Sequence, residues 1–490
     1  MPDTTTTHTA DSSARRTLLA CLVAALLLSA CSSATAPTRP TAAAQASEQA
    51  TPDAADLPNP EAGDDSDQGA MNQPPAESNA ADVCASMPKP TSTPASAQPP
   101  TTTDMKEMIS YTDKTNTISV EKGARATLPA LSRALNRPEL LRELAPGEWL
   151  LAANLSIKAG GALVVGGAHV QRVRLKSDDQ GFVWIKALGG QLTFQQVCVT
   201  SWDVARGGYD LNTQRGRSFV LARDGARMNI YDSVLSYLGY HANESYGLAW
   251  RLAGTSGEIL NSNLGYNFYG LYTYEASDLL IRGNEVHHSV RYGIDPHTRS
   301  KRLVIEQNSA HHNGKQGIIL AEECTDSVIR NNTVYSNTMH GIVIYQRSNN
   351  NRVEGNTSYG NGYQGININE SNGNTIQNNT VYENTKDGIG VDHGAQQNIL
   401  VGNTVHTNQQ DGIALASEAT ANILRDNEVR DNQRYGIYVK SSGNQVATGN
   451  RVFGNQIGVY LNTSDADPAS VQANDIHDNH EANVRAKGTS

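Results

Sequence analysis

Short apolar segments alternate with polar turns along most of the second half of the chain. A Gly followed by an aliphatic residue recurs at Gly247, Gly270, Gly293, Gly317, Gly341, Gly365, Gly388, Gly412, Gly436 and Gly458, in steps of 22 to 24 residues. An Asn keeps step with it at Asn284, Asn308, Asn332, Asn356, Asn379, Asn403, Asn427 and Asn450. A second Asn series runs Asn313, Asn337, Asn361, Asn384, Asn408, Asn432 and Asn455. Between these markers lie segments such as "TVYSN" and "GIVIY", too short for helices and carrying β-branched residues. A fixed period of this kind marks a repeat architecture. Three short strands and three turns per repeat describe one coil of a parallel β-helix. A leucine-rich repeat has a similar length, but its Leu framework is missing. Asn suits the turns because it tolerates the left-handed region, and stacked Asn amides can bond up the column.

Composition changes the picture at the N-terminus. "ARRTLLACLVAALLLSAC" has a basic start, a short apolar run and a lipobox-like end. It reads as a lipoprotein signal over residues 1–30, with lipid attached at Cys31. Residues 31–105 are rich in Ala, Pro, Ser and Thr and are expected to form a disordered tether. The folded domain is then 106–490. The stretch "TLPALSRALNRPELLREL" has helical periodicity broken by Pro138, which predicts one or two short helices capping the open end of an otherwise all-β solenoid. Of five cysteines, Cys84 falls in the tether, and Cys198 and Cys324 lie in the folded part. Cys198 and Cys324 are five repeats apart, about 24 Å at about 4.8 Å per stacked layer. No bond between them is expected. The net charge of −10 argues against nucleic acid as partner. No zinc-type Cys/His spacing is present, and no metal or cofactor is expected.

The Gly register stacks residues into columns. Gly+1 and Gly+3 are apolar and point inward, so Gly+2 and Gly+4 face out. The Gly+4 column reads Arg251, Tyr274, His297, Ala321, Tyr345, Asn369, Asp392. The Gly+2 column includes Tyr272, Asp295 and Ile319. The residue before Gly reads Tyr246, Tyr269, Tyr292, Gln316, His340. Six places on come Arg299, Glu323 and Arg347. One repeat, "YGIDPHTRS", therefore brings Tyr292, Asp295, His297 and Arg299 to one exposed sheet. Pro296 removes a ladder hydrogen bond and is expected to distort the strand. His311, His312 and His393 lack such company and read as surface. A long flat groove of this kind fits an extended polymer.

The segment "YGIDPHTRS" resembles the Asp-Pro-His motif of the mannuronan C5-epimerases. The stretches "APGEWLLAANL", "VTSWDVARGGYD", "GRSF" and "VLSYLGYHANESYGLAWR" are similar to the periplasmic branch of that family. The resemblance covers roughly residues 145–350. It implies a right-handed parallel β-helix and action on alginate. The chain departs from the pattern in two places. Thr298 follows the His where the family commonly has Asp, and Glu322 stands where the periplasmic enzymes carry an Arg.

That reaction has clear requirements. The proton at C5 of a uronate lies α to a carboxylate. Its removal requires the carboxylate charge to be offset and a base to accept the proton. His297 is the expected base and Arg299 the expected clamp, with Asp295 orienting the imidazole or binding substrate and Tyr292 returning a proton from the opposite face. Arg251, Tyr272, Tyr274, Glu322, His340, Tyr345 and Arg347 are expected to line the substrate path. The expected product is α-L-guluronate formed from β-D-mannuronate within the polymer. A polysaccharide lyase, which expels the 4-linked sugar from the same intermediate, remains open, as does a non-catalytic binding or secretion scaffold. The expected partners are an anionic polyuronate and a membrane reached through the lipid anchor. A polysaccharide-export complex stays open as a further one. A monomer in the periplasm or at the cell surface, anchored in the outer membrane, is expected.

Overall fold

In the computed structural model, residues 82–89, 105–464 and 471–487 are described. Cys31, the signal segment 1–30 and most of the tether lie outside them. The described chain winds into a parallel β-helix with three sheets of 16, 13 and 17 strands. Each strand pairs with its counterpart one coil away, as in Ile318↔Ile342 and Ile342↔Ile366 of the first sheet. The inward Gly+1 column (Ile294, Ile318, Ile342, Ile366, Ile389, Ile413) is fully buried and forms the spine of the core. Its alternation with outward residues is the period-two pattern of a half-buried strand.

The repeat Gly is demanded by close approach. A Cβ at Gly317 would sit 2.3 Å from Val334 Cγ1 and 2.7 Å from Asn337 Nδ2. Both neighbours are themselves repeat residues, so the Gly, the inward Val and the ladder Asn specify one another.

The two Asn columns are continuous hydrogen-bonded ladders. Asn332 Nδ2 donates to Asn356 Oδ1 at 2.9 Å, and Asn356 Nδ2 donates to Asn379 Oδ1 at 3.0 Å. The backbone N–H of Asn332 donates to the same Asn356 oxygen, and Asn356 Nδ2 also reaches the Ile329 carbonyl. Left-handed backbone is not why Asn is used here. The left-handed residue is the one before each ladder Asn, such as Gln307, Asn331, Gly355 and Asn378. The ladder Asn is chosen for its amide, which satisfies buried turn groups that have no other partner.

The N-terminal opening is closed by one short helix, Leu128–Leu135. Thr127 caps it, Pro129 sits in its first turn, and left-handed Asn136 ends it. Its Leu128 and Leu131 face the core. The second half of the predicted helical stretch is instead a strand, Leu141–Ala145, paired antiparallel with Glu148–Leu151 around Gly147. Pro138 stops the helix, and a tight turn at Gly147 takes over.

One stretch of the predicted tether is built into the fold. Val83–Ser86 forms a 3-10 turn, and Cys84 is disulfide-bonded to Cys198. Asp82 accepts hydrogen bonds from Arg172 at 2.7 Å and Tyr209 at 2.8 Å. Composition alone hides this short docked stretch. Cys324 is a free, buried thiol, as the distance argument requires. His311 corrects another expectation: it is buried, stacked between His287 and Tyr335 in a ring column that continues through Tyr359, Tyr382 and His406.

Two outcomes test this account. Asn356→Ala leaves buried donors and acceptors on both neighbouring coils unpaired and should lower stability by about 3 kcal/mol, read by denaturant unfolding. Peptide mapping under non-reducing conditions should recover Cys84 linked to Cys198, with Cys324 alkylated only after unfolding. Cys84→Ser should destabilise the protein by about 2–4 kcal/mol.

Candidate active site

The strand Ile294–His297 lies in the first sheet between Tyr269–Tyr274 and Ile318–Ala321. Toward the preceding coil its register is regular, with Tyr272↔Asp295, Thr273↔Pro296 and Tyr274↔His297. Toward the following coil only Ile294↔Ile318 pairs. Regular backbone bonding resumes where Arg299 N–H donates to Glu322 O. Pro296 makes this gap, as its missing N–H predicts. The gap frees the backbone around His297 from strand pairing on the side of the following coil only.

The outward face is less exposed than the sequence pattern implied. Its N-terminal half is covered by an aromatic cluster including Phe219, Phe268, Tyr269 and Tyr272, with Tyr240, Tyr246 and Tyr292 packed against it. Tyr246 lies 4.9 Å from Tyr269 and 4.8 Å from Tyr272, ring to ring. Arg217 helps hold this cover. It is wholly buried and donates to the carbonyls of Asp210, Leu238, Gly239 and Tyr266. Burial pushes its guanidinium down to about 10. Four loop carbonyls are thereby tied to one side chain.

His297 stands at the edge of this cover, about a quarter exposed, with its ring 5.7 Å from that of Tyr272. Its Nδ1 lies 2.7 Å from Thr298 Oγ1, which donates to Glu322 Oε2 at 2.7 Å. Asp295 faces the same side but is 1% exposed, and neither carboxylate oxygen has a hydrogen-bond partner. Burial, and then the nearby Glu322 carboxylate, push its pKa well above the ordinary range, against a smaller opposing pull from Lys315. Burial thus favours its protonated form, and it makes no hydrogen bond that would orient the imidazole. Thr298 and Glu322 touch it instead.

The expected cations separate. Arg299 is engaged by Glu275, and Arg347 donates to Glu323 at 3.0 Å, each on the coil before. Their left-handed backbone at the turn carries them away from the sheet face. Arg251 is buried, 4.7 Å over the Tyr274 ring, and held by Asn243. Lys315 lies 5.5 Å over Tyr292. It was missed because it sits two places before the repeat Gly, a column that also holds Arg291, Lys386 and Arg434. Continuous backbone bonds join that column from Arg291 to Lys315 and onward. Stacking it in register is the signal that would have found it. On the far side, Tyr345 packs with Ile319, Ala321 and Val343, and burial raises its phenol pKa. His340 is buried two coils on from Tyr292, its ring 5.3 Å from Tyr363. Among the described residues, no group of three or more His, Cys, Asp or Glu is placed to hold a metal ion.

Comparison with known proteins adds to this geometry. The family model for the right-handed β-helix region matches residues 210–358, 247–405 and 323–479. The mannuronan C5-epimerase of Pseudomonas aeruginosa is 30% identical over 177 residues, covering 34% of this chain and 32% of that protein. The Pseudomonas fluorescens protein of the same name is 31% identical, covering 34% and 33%. Mannuronan C5-epimerase AlgG of Azotobacter vinelandii is 29% identical, covering 37% and 36%. The chain thus spans about a third of the length of the curated relatives it matches. A solved periplasmic alginate epimerase, AlgG, superposes with a TM-score of 0.64 at 23% identity, covering 70% of this chain and 85% of that one. That likeness is one of fold.

The state of Asp295 gives a stability prediction. Its pKa is raised in the folded protein, so the unfolded chain gives up its proton first as pH rises from about 4. Stability is then lost with rising pH up to the folded-state value. Asp295→Asn removes this loss. The variant should melt higher than the parent at pH 7, with the difference vanishing at pH 3 to 4 in calorimetry.

Proposed function

This chain belongs to the right-handed β-helix family, and we propose that on this scaffold it works as a mannuronan C5-epimerase, converting β-D-mannuronate to α-L-guluronate within a uronate polymer. The observation that carries the reading is the pairing on one strand of a solvent-reaching imidazole, His297, with a buried carboxyl, Asp295. The named relatives support the substrate class.

The chemistry follows from these groups. His297 Nε2 takes the C5 proton, and the C5–H electron pair moves into the carboxylate to give an enediolate. Charge on that enediolate must be offset in a site with little water. Asp295, its pKa raised by burial, donates a hydrogen bond to it in its protonated form, a use of a buried carboxylic acid seen in proton-abstraction sites generally. Arg251 and Lys315 supply positive charge at the aromatic wall. Tyr292, beside Lys315, is placed to return a proton to the opposite face of C5. No glycosidic bond breaks, and only the configuration at C5 inverts. The residues before each repeat Gly, with Arg291, Lys315 and Lys386 along one rim, suit an extended polyanion more than a small molecule.

Tyr272, Tyr274, Tyr345 and His340 wall the path on either side of His297. Arg299 and Arg347 serve at the turn, where they meet polymer carboxylates only by exchanging their Glu partners. The Cys84–Cys198 bond fits an oxidising compartment. It supports reading the enzyme as periplasmic or cell-surface, tethered to the outer membrane by lipid on Cys31. Acting as a monomer, it would receive polymer there, from an export complex where one is present.

Proton NMR of polymannuronate incubated with the protein in D2O tests the reading. Guluronate signals should grow in with deuterium at C5. His297→Ala should slow them by about 100- to 10,000-fold. Unsaturated chain ends would make the protein a lyase. Binding of intact polymer without exchange would make it a scaffold.

A further inference from the structure

Thr298 and Glu322 stand where the resembled family commonly has Asp and Arg. Both are buried, at 6% and 7% exposure. The two changes meet on His297. The imidazole Nδ1 lies 2.7 Å from Thr298 Oγ1, that hydroxyl donates to Glu322 Oε2 at 2.7 Å, and Nδ1 lies 3.7 Å from the same carboxylate oxygen. Thr298 is held at φ 22°, an uncommon backbone for a β-branched residue. This conformation turns its hydroxyl between ring and carboxylate.

A hydroxyl has one proton to give. Donated to Glu322, it leaves the oxygen as an acceptor toward the ring, so Nδ1 carries the ring proton. The remaining nitrogen, Nε2, is then the unprotonated one. The Thr298 N–H also lies 3.0 Å from Nδ1, which favours the opposite tautomer. The chain ending on a carboxylate outweighs it, because an ionised acceptor roughly doubles a hydrogen bond. Other titratable groups face the ring from each side. Tyr272 and Tyr274, with Arg251 over the latter, come from the coil before. Tyr345, two coils beyond, lies near Glu322, and Lys315 lies near Asp295. Glu322, 3.7 Å from Nδ1, is the carboxylate that reaches the ring through the Thr298 hydroxyl.

We propose that Glu322 is a positioning residue for His297: acting through the Thr298 hydroxyl, its carboxylate fixes the tautomer that leaves Nε2 as base and stabilises the imidazolium formed when a proton is taken. The proposal rests on the epimerase reading only for which proton is removed. The carboxylate is spent on the base, and the polymer's charge is met by Arg251, Lys315 and Asp295.

The test uses the full-length protein with ring-labelled histidine, assigned by comparison with His297→Gln. Glu322→Gln and Thr298→Val, each checked for the parent's melting transition, should lower the His297 titration midpoint by about one pH unit. Thr298→Ser, which keeps a hydroxyl, should restore it. In turnover of polymannuronate, kcat should fall about 10- to 100-fold with KM little changed, and the acid limb of the pH profile should move down with the midpoint. An unmoved midpoint in folded Glu322→Gln, or a loss confined to KM, overturns the proposal. The titration needs no turnover. A shifted midpoint in a protein that never exchanges the C5 proton would therefore sink the epimerase reading and leave the relay standing.

Discussion

Each coil of this protein buries turn amides that only the next coil can satisfy. The Asn ladders meet that constraint with one residue type, each side chain accepting from the coil before and donating to the coil after. Buried polar groups left unpaired are costly, so the ladder fixes register as firmly as the Ile column fixes the core. Register then propagates along the whole solenoid, as expected of a quasi-one-dimensional architecture. The outward columns inherit it without contributing to it. Residues there can be chosen for chemistry, provided the inward Ile, Val, Gly and Asn are kept.

The active strand exploits this freedom and strains it. Pro296 removes one rung of the sheet between Ile294 and the next coil, yet the flanking ladder bonds at Asn284–Asn308 and Asn313–Asn337 continue across it. The lost backbone bond is affordable only because its neighbours on the other two sheets are intact. Asp295 adds a second local cost, a buried carboxyl with no partner. Such costs cluster where chemistry is done, and here both fall on one four-residue strand.

Much of this was legible in the sequence. The 22- to 24-residue period, the inward Ile column and the place of His297, Asp295 and Pro296 all follow from stacking one Gly register. What the register could not convey is depth. Asp295 faces outward, as alternation demands, but is buried, and no periodicity encodes Tyr246 or Arg217 closing over the sheet. Arg299 and Arg347 look like substrate clamps by column, yet a left-handed turn swings each toward a Glu on the preceding coil. Cys84 sits in a composition that says disorder. Only a partner 114 residues away gives it structure, and sequence spacing carries no trace of that.

The charge pattern of the site joins these strands of argument. A polyanionic substrate is attracted by cations, but a base beside too many cations is weakened, since they disfavour the imidazolium. The molecule separates the two demands in space. Positive charge lies along the column two places before the repeat Gly and over the aromatic wall, at Lys315 and Arg251. The carboxylate of Glu322 reaches the imidazole through the Thr298 hydroxyl. Burial, and then the nearby Glu322, push the Asp295 carboxyl above its ordinary range. In the proposed relay the same carboxylate therefore supports the base and adds to the upward push on a second acid. By sequence Glu322 is a departure from the resembled pattern; in three dimensions it is the carboxylate that both His297 and Asp295 feel.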